Sequence, residues 1–203
     1  MIDILKWPCA IISSQRTGSS ALTAFLGQRY NTTFFIEPFE QKHKSEEFVG
    51  LYKIIGSKFI VKFMIDRVGH HRPYNELLHR DDVFKIRLYR KNIVAQVASL
   101  YLATYTSNWF RDQLHNTVDT GINYTVPIVT SDLTRCLKMV LRNNNTFVTK
   151  KYKYDLTVSY ESLGILNENI WKRTFLPINY SDIICATQEM IVDQKLETDV
   201  TLN

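Results

Sequence analysis

The chain has 203 residues, of which 45% are hydrophobic and 22% charged, and its net charge is +5. This length and composition are typical of one globular domain and exclude collagen-like, coiled-coil and disordered chains. No apolar run approaches the ~20 residues of a membrane helix, and the first apolar segment is too short for a signal peptide. We therefore expect one cytoplasmic domain over 1–203, away from the membrane, with an anionic partner.

The cysteines and histidines lack the spacing of a disulfide framework or a metal site. They are Cys9, Cys136, Cys185, His43, His70, His71, His79 and His115. We expect a reduced protein that binds no metal.

Short apolar runs alternate with segments of helical period along the chain. Strands are predicted over Cys9–Ser13, Thr33–Ile36, Phe59–Ile65, Val83–Tyr89 and Leu156–Tyr160. Helices are predicted over Ser19–Tyr30, from beyond Ile36 to Tyr52, over Ile93–Tyr105, and over Asp132–Arg142 with Ser131 as N-cap. This alternation predicts an α/β fold, a three-layer sandwich around a central, mostly parallel sheet. Ligands of such folds bind at the turns that follow the strands.

The turn between the first strand and the first helix, residues 13–20, is rich in small residues. Free backbone amides at the start of a helix form a ready phosphate site, although a simple capped turn has the same composition. A triphosphate-binding P-loop requires GxxxxGK[ST]. Here Ser13 stands in place of the first glycine and Ser19 in place of the lysine, and Arg16 is the cation of the turn. The turn thus favours a phosphate ligand that needs no magnesium.

The run Arg16-Thr17-Gly18-Ser19-Ser20 resembles the 5′-phosphosulfate loop of sulfotransferases that use 3′-phosphoadenosine-5′-phosphosulfate (PAPS). The resemblance implies a P-loop-like nucleotide-binding fold in which this run binds the 5′-phosphate. It also implies transfer of a sulfuryl group to a hydroxyl of a carbohydrate or other small metabolite, with adenosine 3′,5′-bisphosphate as product and no metal.

The segment after the third long strand is similar to the 3′-phosphate signature of the same family. That signature has a strand-end Arg, then Asn, a helix and a Ser eight residues on. Here Ser99 lies eight residues after Lys91 and nine after Arg90, so either cation could bind the 3′-phosphate with Ser99. Arginine would bind it bidentately, which lysine cannot do.

Lys62 lies inside the apolar run Phe59–Ile65, where a lysine is costly unless it is paired or beside an anion. It resembles the strand-end lysine of the family, and its Lys-x-Met form is most similar to bacterial trehalose-type sulfotransferases. Met64 stands where the steroid- and phenol-type enzymes carry a histidine base. The resemblance implies that Lys62 and Arg16 stabilise charge on the bridging oxygen between sulfate and phosphate.

Glu37 follows Phe34-Phe35-Ile36 and precedes Pro38 and Phe39, at the place that resembles the Glu-x-Phe general base of those bacterial enzymes. A carboxylate in apolar surroundings takes up a proton more readily than one in water, which suits a base. The alternatives for this role are Glu40, Glu46, Glu47, His70 and His71.

The segment Ser159–Leu163 is similar to the Tyr-Glu-Asp/Ser-Leu sequence of this superfamily, whose tyrosine often lies near the adenine. Tyr160 is therefore a candidate cofactor contact. The competing functions are a divergent P-loop nucleotide or nucleoside kinase and a nonenzymatic protein that keeps the PAPS fold or binds nucleic acid. The chain carries no RNP, KH, zinc-finger or helix-turn-helix motif, so we expect no nucleic-acid partner.

Overall fold

The computed structural model describes residues 4–40, 42–106, 125–163 and 179–193. The chain forms two compact units. The first comprises Met1–Lys91 and Arg142–Gly164, and the second comprises Asn92–Leu141 and Ile165–Asn203. That the whole chain acts as one domain stays a prediction.

The first unit contains a five-stranded sheet. Its strands are β1 (Cys9–Ser13), β2 (Thr33–Ile36), β3 (Phe59–Met64), β4 (Phe84–Tyr89) and β5 (Leu156–Ser159). They lie in the order β2-β3-β1-β4-β5, and every pair is parallel. Strands β3 and β4 lie on opposite sides of β1, so the order of the strands reverses at β1. Ligands of such sheets bind at the point where the strand order reverses.

Helices cover both faces of this sheet. The helices of the described chain are α1 (Ser19–Arg29), α2 (Lys42–Tyr52), α3 (Arg72–His79), α4 (Ile93–Thr106), α5 (Thr130–Thr149) and α6 (Tyr180–Asp193). The face with Phe35 packs on α2 and α3 in one apolar cluster. The opposite face carries Phe34, which α1 approaches so closely that a Cβ on Gly27 would lie 2.4 Å from the Phe34 ring. The α/β fold with three layers and a parallel sheet is thereby confirmed.

The second unit is helical in its described part. Helix α4, the first turns of α5, and α6 share a core that includes Val97, Leu133 and Ile183. The side-chain amide of Asn179 fixes the segment before α5, since it accepts from the Val126 N–H at 3.1 Å and donates to the Val126 carbonyl at 2.7 Å. None of the described helices is long and apolar enough to cross a membrane.

Several element boundaries differ from the sequence prediction. Helix α5 begins at Thr130 and continues to Thr149, so Ser131 lies inside its first turn and is not the N-cap. Helices α3 and α6 were not predicted. Tyr160 belongs to a 3₁₀ turn directly after β5 and not to the strand. Helix α3 has only eight residues, fewer than the window over which helical periodicity is read from a sequence, which explains why it was missed.

Candidate functional site

The carboxyl ends of the strands meet at one edge of the sheet. In the register of the sheet, Ser13 lies beside both Met64 and Leu88. Ile36 is likewise paired with Lys62. The residues that follow these strand ends are therefore neighbours, as the ligand-binding edge of a parallel sheet requires.

The turn after β1 has the backbone geometry of an anion site. Arg16 and Gly18 both have positive φ, 59° and 75°. The Thr17 hydroxyl closes the turn by donating to the Ser14 carbonyl at 3.1 Å. The first hydrogen bond of α1 runs from the Leu22 N–H to the Gly18 carbonyl at 3.0 Å. The preceding amides, including those of Ser19 and Ser20, have no acceptor in the helix and lie at its positive end.

Side chains from two other elements support this turn. Gln15 accepts a hydrogen bond from the Asn143 amide at 2.6 Å and donates to the Asp66 carboxylate at 3.2 Å. Its neighbour Ser14 donates to the Asn144 side chain at 3.0 Å. The sequence analysis missed these supports, because the predicted helix ends at Arg142, before Asn143 and Asn144.

The buried Lys62 and the half-buried Glu37 form an ion pair near the end of β3. The Lys62 side chain is 4% exposed, and its ammonium group donates to the Glu37 carboxylate. The two backbones are also joined, because the Glu37 N–H donates to the Lys62 carbonyl at 2.9 Å. Glu37 has a positive φ of 48°, which is uncommon outside glycine. The backbone and the side chains therefore hold this pair together at the sheet edge.

Burial and the nearby carboxylates have opposite effects on the pKa of Lys62. Burial is the largest effect and lowers the pKa of Lys62. The carboxylates of Glu37 and Asp66 act in the opposite direction, whereas the nearby Arg16 lowers the pKa further. Burial thus lowers the pKa of Lys62, and the two carboxylates oppose that effect, a kind of perturbation common at functional sites.

The other candidates for a base have different surroundings. Glu40 lies 3.4 Å from the exposed Arg67, and Glu46 and Glu47 are exposed on α2. His70 is exposed, and His71 stacks on Phe39 with a ring separation of 4.6 Å. Burial lowers the pKa of His71. Glu37 differs from these residues, because the described contacts join its carboxylate to Lys62.

Arg90 and Lys91 follow β4 but have different environments. The Arg90 guanidinium lies 4.7 Å from the centre of the Tyr160 ring and donates to the Arg16 carbonyl at 3.3 Å. Burial, and then the nearby Arg90, lower the pKa of Arg16. Lys91 is exposed, and its backbone N–H donates to the Glu161 carboxylate at 3.0 and 3.1 Å.

Two guanidinium groups of like charge favour an anion between or beside them. The Arg90 Nε is buried and has no hydrogen-bond partner among the described residues. The same holds for the Ser13 hydroxyl at the base of the turn. Unpartnered buried polar atoms are rare in proteins, and each calls for an explanation such as a bound ion. Ser99 lies on α4, in the second unit, so its predicted part in phosphate binding stays a prediction.

The fold and this edge together define an α/β protein with a P-loop-like strand–turn–helix site. No family model and no curated protein matches the sequence. Among solved structures, the chain is similar to shikimate kinase from Acinetobacter baumannii in complex with shikimate. The TM-score is 0.41 at 12% sequence identity, over 94% of this chain and 96% of that one.

Proposed function

We propose that this protein transfers the sulfuryl group of PAPS to a hydroxyl of a carbohydrate or other small metabolite. One observation carries the proposal. The ion pair of the buried Lys62 with Glu37 lies at the sheet edge that also bears the turn after β1. The turn itself has Ser19 where a triphosphate-binding loop has its lysine. The site therefore combines an acid–base pair with a turn that can bind an anion. It lacks the lysine with which a P-loop contacts a γ-phosphate.

The residues present fit such a ligand. The amides of the run from Thr17 to Ser20 would hold the 5′-phosphate at the start of α1. Arg90 would hold the 3′-phosphate, because its buried Nε lacks a partner among the described residues while Lys91 is exposed. Lys91 and Ser99 stay secondary candidates for that phosphate. Tyr160, beneath the Arg90 guanidinium, is the candidate neighbour of the adenine.

The reaction needs positioning and charge stabilisation from the protein. PAPS supplies an activated sulfuryl group and a bisphosphate leaving group. Glu37 accepts the proton of the acceptor hydroxyl while that oxygen bonds to sulfur. The bond from sulfur to the bridging oxygen breaks, and its electron pair stays on the phosphate. Lys62 and Arg16 stabilise the negative charge that develops on this bridging oxygen.

Ligand-induced stabilisation tests the proposal. Adenosine 3′,5′-bisphosphate should raise the unfolding temperature, since binding at a hundred times the dissociation constant stabilises the folded state by about 2.7 kcal/mol. ATP with magnesium should have a much smaller effect, and this can be measured by thermal shift and calorimetry. Stabilisation by ATP with magnesium alone would contradict the proposal and favour a kinase. Bisphosphate binding without any sulfuryl transfer would favour the nonenzymatic alternative.

A sulfuryl-transfer assay tests the role of Glu37. Glu37→Gln should lower the rate of sulfuryl transfer by about 10²–10⁴-fold, the usual contribution of a general base. Its affinity for adenosine 3′,5′-bisphosphate should change little. Glu40→Gln is the matched control, because Glu40 is close in the chain but contacts the exposed Arg67. Full activity of the Glu37→Gln protein would exclude Glu37 as the base.

A further inference from the structure

Arg87 of β4 is a half-buried cation that contacts aromatic rings. Its guanidinium carbon lies 5.0 Å from the centre of the Phe147 ring and 5.6 Å from the centre of the Tyr89 ring. Its Nε is buried and has no hydrogen-bond partner in the described part of the chain. The ion pairs between described residues do not include Arg87. A guanidinium is a permanent cation and a strong donor, so a half-buried one without an acceptor calls for an explanation.

Tyr154 brings a second donor to the same aromatic ring. Its ring centre lies 6.2 Å from that of Phe147. Its hydroxyl is buried and has no hydrogen-bond partner among the described residues. Burial raises the pKa of Tyr154, and the smaller effect of Arg87 opposes this rise, so the hydroxyl keeps its proton and can donate. Both unpartnered groups therefore belong to residues that pack on the buried Phe147 ring.

This cluster has different neighbours from the turn after β1. In the register of the sheet, Arg87 lies between Ile12 of β1 and Thr157 of β5, within the strands and not beyond their ends. Arg90 instead follows β4 and contacts the Tyr160 ring. Residues 87, 89, 147 and 154 all belong to the first compact unit. The two arginines therefore have separate surroundings, and a ligand of one is not the ligand of the other.

We propose that Arg87 and Tyr154 form a second anion site, which binds one oxyanion group, a carboxylate, phosphate or sulfate, beside Phe147. An oxyanion accepts from guanidinium N–H and from phenolic O–H groups, and such charge-assisted hydrogen bonds are the strong ones. The rings of Tyr89 and Phe147 hold the guanidinium by cation–π contacts, which reduces the conformational freedom that it loses on binding. The inference does not depend on the proposed function.

An NMR titration of the full chain tests the site, because the Nε–H signals of Arg87 and Arg90 report on the two places separately. Inorganic phosphate, inorganic sulfate and acetate are added at constant ionic strength, with sodium chloride as the reference. At least one of them should shift the Arg87 signal saturably, with a dissociation constant on the order of 1 mM, as expected for about two or three charge-assisted hydrogen bonds. The anions that act identify the group that the site accepts. An Arg87 signal that responds to none of them beyond chloride overturns the proposal.

Tyr154→Phe separates binding from packing, because it removes the hydroxyl and keeps the ring. It should weaken anion binding at the Arg87 signal by about tenfold or more. Without the anion its free energy of unfolding should not fall, since the lost hydroxyl has no partner among the described residues. A variant that binds as tightly as the wild type, or that is less stable without the anion, would assign Tyr154 a packing role and overturn the site.

Arg87→Gln tests the cation, with binding followed at the backbone amide of Phe147. The affinity should fall by at least about tenfold. Arg142→Gln makes the same change at an exposed position of α5 and should bind as the wild type does. Equal affinities of the two variants would overturn the proposal, and Tyr154→Phe still decides it if Arg87→Gln does not fold. A wild type that binds no adenosine 3′,5′-bisphosphate contradicts the proposed function alone and leaves this site standing.

Discussion

Two adjacent cations, Arg90 and Lys91, differ in what surrounds them. Arg90 is half-buried between the Tyr160 ring and the Arg16 carbonyl, whereas Lys91 is exposed. A guanidinium held on an aromatic face has little freedom to lose on binding, and its planar fork matches two phosphate oxygens. The charge of an exposed lysine is concentrated on its ammonium group and is screened by water and salt. The residue-level contrast therefore assigns the 3′-phosphate contact of our proposal to Arg90.

This assignment predicts unequal effects for two matched substitutions. Arg90→Ala should lower the affinity for adenosine 3′,5′-bisphosphate by about 10–100-fold, in line with ~1.5–3 kcal/mol for hydrogen bonds to charged groups. Lys91→Ala should change it less than about threefold, as expected for an exposed ion pair. Calorimetry on both proteins measures the difference. The opposite order of losses would assign the contact to Lys91.

The candidate site was predictable where chemistry leaves a local pattern. Lys62 stands out because a charge inside an apolar run is costly, and Arg16 because it lies in a glycine-containing turn after a strand. The support by Asn143 and Asp66 could not be predicted. Amide hydrogen bonds between residues 128 positions apart leave no periodic or compositional trace in the sequence.

At the level of elements, α5 shows tertiary contacts overriding local preference. The predicted helix ends at Arg142, and the three residues that follow are asparagines, which are poor helix formers. The helix instead continues to Thr149. Asn143 and Asn144 contact Gln15 and Ser14, so the helix is stabilised where its own sequence is weakest. The strands, by contrast, were predicted to within about two residues, because buried apolar runs between turns are a strong signal.

A pair of asparagines in α5 provides a matched test. Asn143→Ala removes a donor to the Gln15 side chain and should destabilise the protein by about 1–3 kcal/mol. Asn145 is exposed on the same helix, and Asn145→Ala should be neutral or stabilise it by up to about 0.5 kcal/mol through helix propensity. Urea unfolding measures both values. Equal stabilities would show that the contact with the turn contributes nothing.

For the whole molecule, the position of the cations matters more than the net charge of +5. Arg16, Lys62 and Arg90 lie in or just after strands at one edge of the sheet. Lys150, Lys151 and Lys153 are exposed beyond the end of α5. Charges separated from a ligand by more than about 8–10 Å of salt solution are largely screened. Only the first group should then affect the binding of a small polyanion.

Charge-neutralising variants test this distinction. Changing the three exposed lysines to glutamine lowers the net charge from +5 to +2, yet should alter bisphosphate affinity less than about threefold at physiological salt. Arg16→Gln removes a single charge and should cost about tenfold or more, as expected for a contact with a charged group. Calorimetry at two salt concentrations separates direct contact with the ligand from long-range attraction by the net charge, because salt weakens the long-range attraction. A larger loss in the triple variant would mean that the overall field attracts the ligand.

The positive φ values have a consequence for how this sequence can change. Among the described residues, three other than glycine have positive φ: Arg16, Asn31 and Glu37. Asparagine tolerates this conformation, whereas for arginine and glutamate it costs about 1–2 kcal/mol of conformational free energy per residue. In a random library selected for folding alone, glycine should therefore become enriched at positions 16 and 37. Selection for sulfuryl transfer should remove those same variants. At these two positions, stability therefore favours glycine, whereas the proposed chemistry requires Arg16 and Glu37.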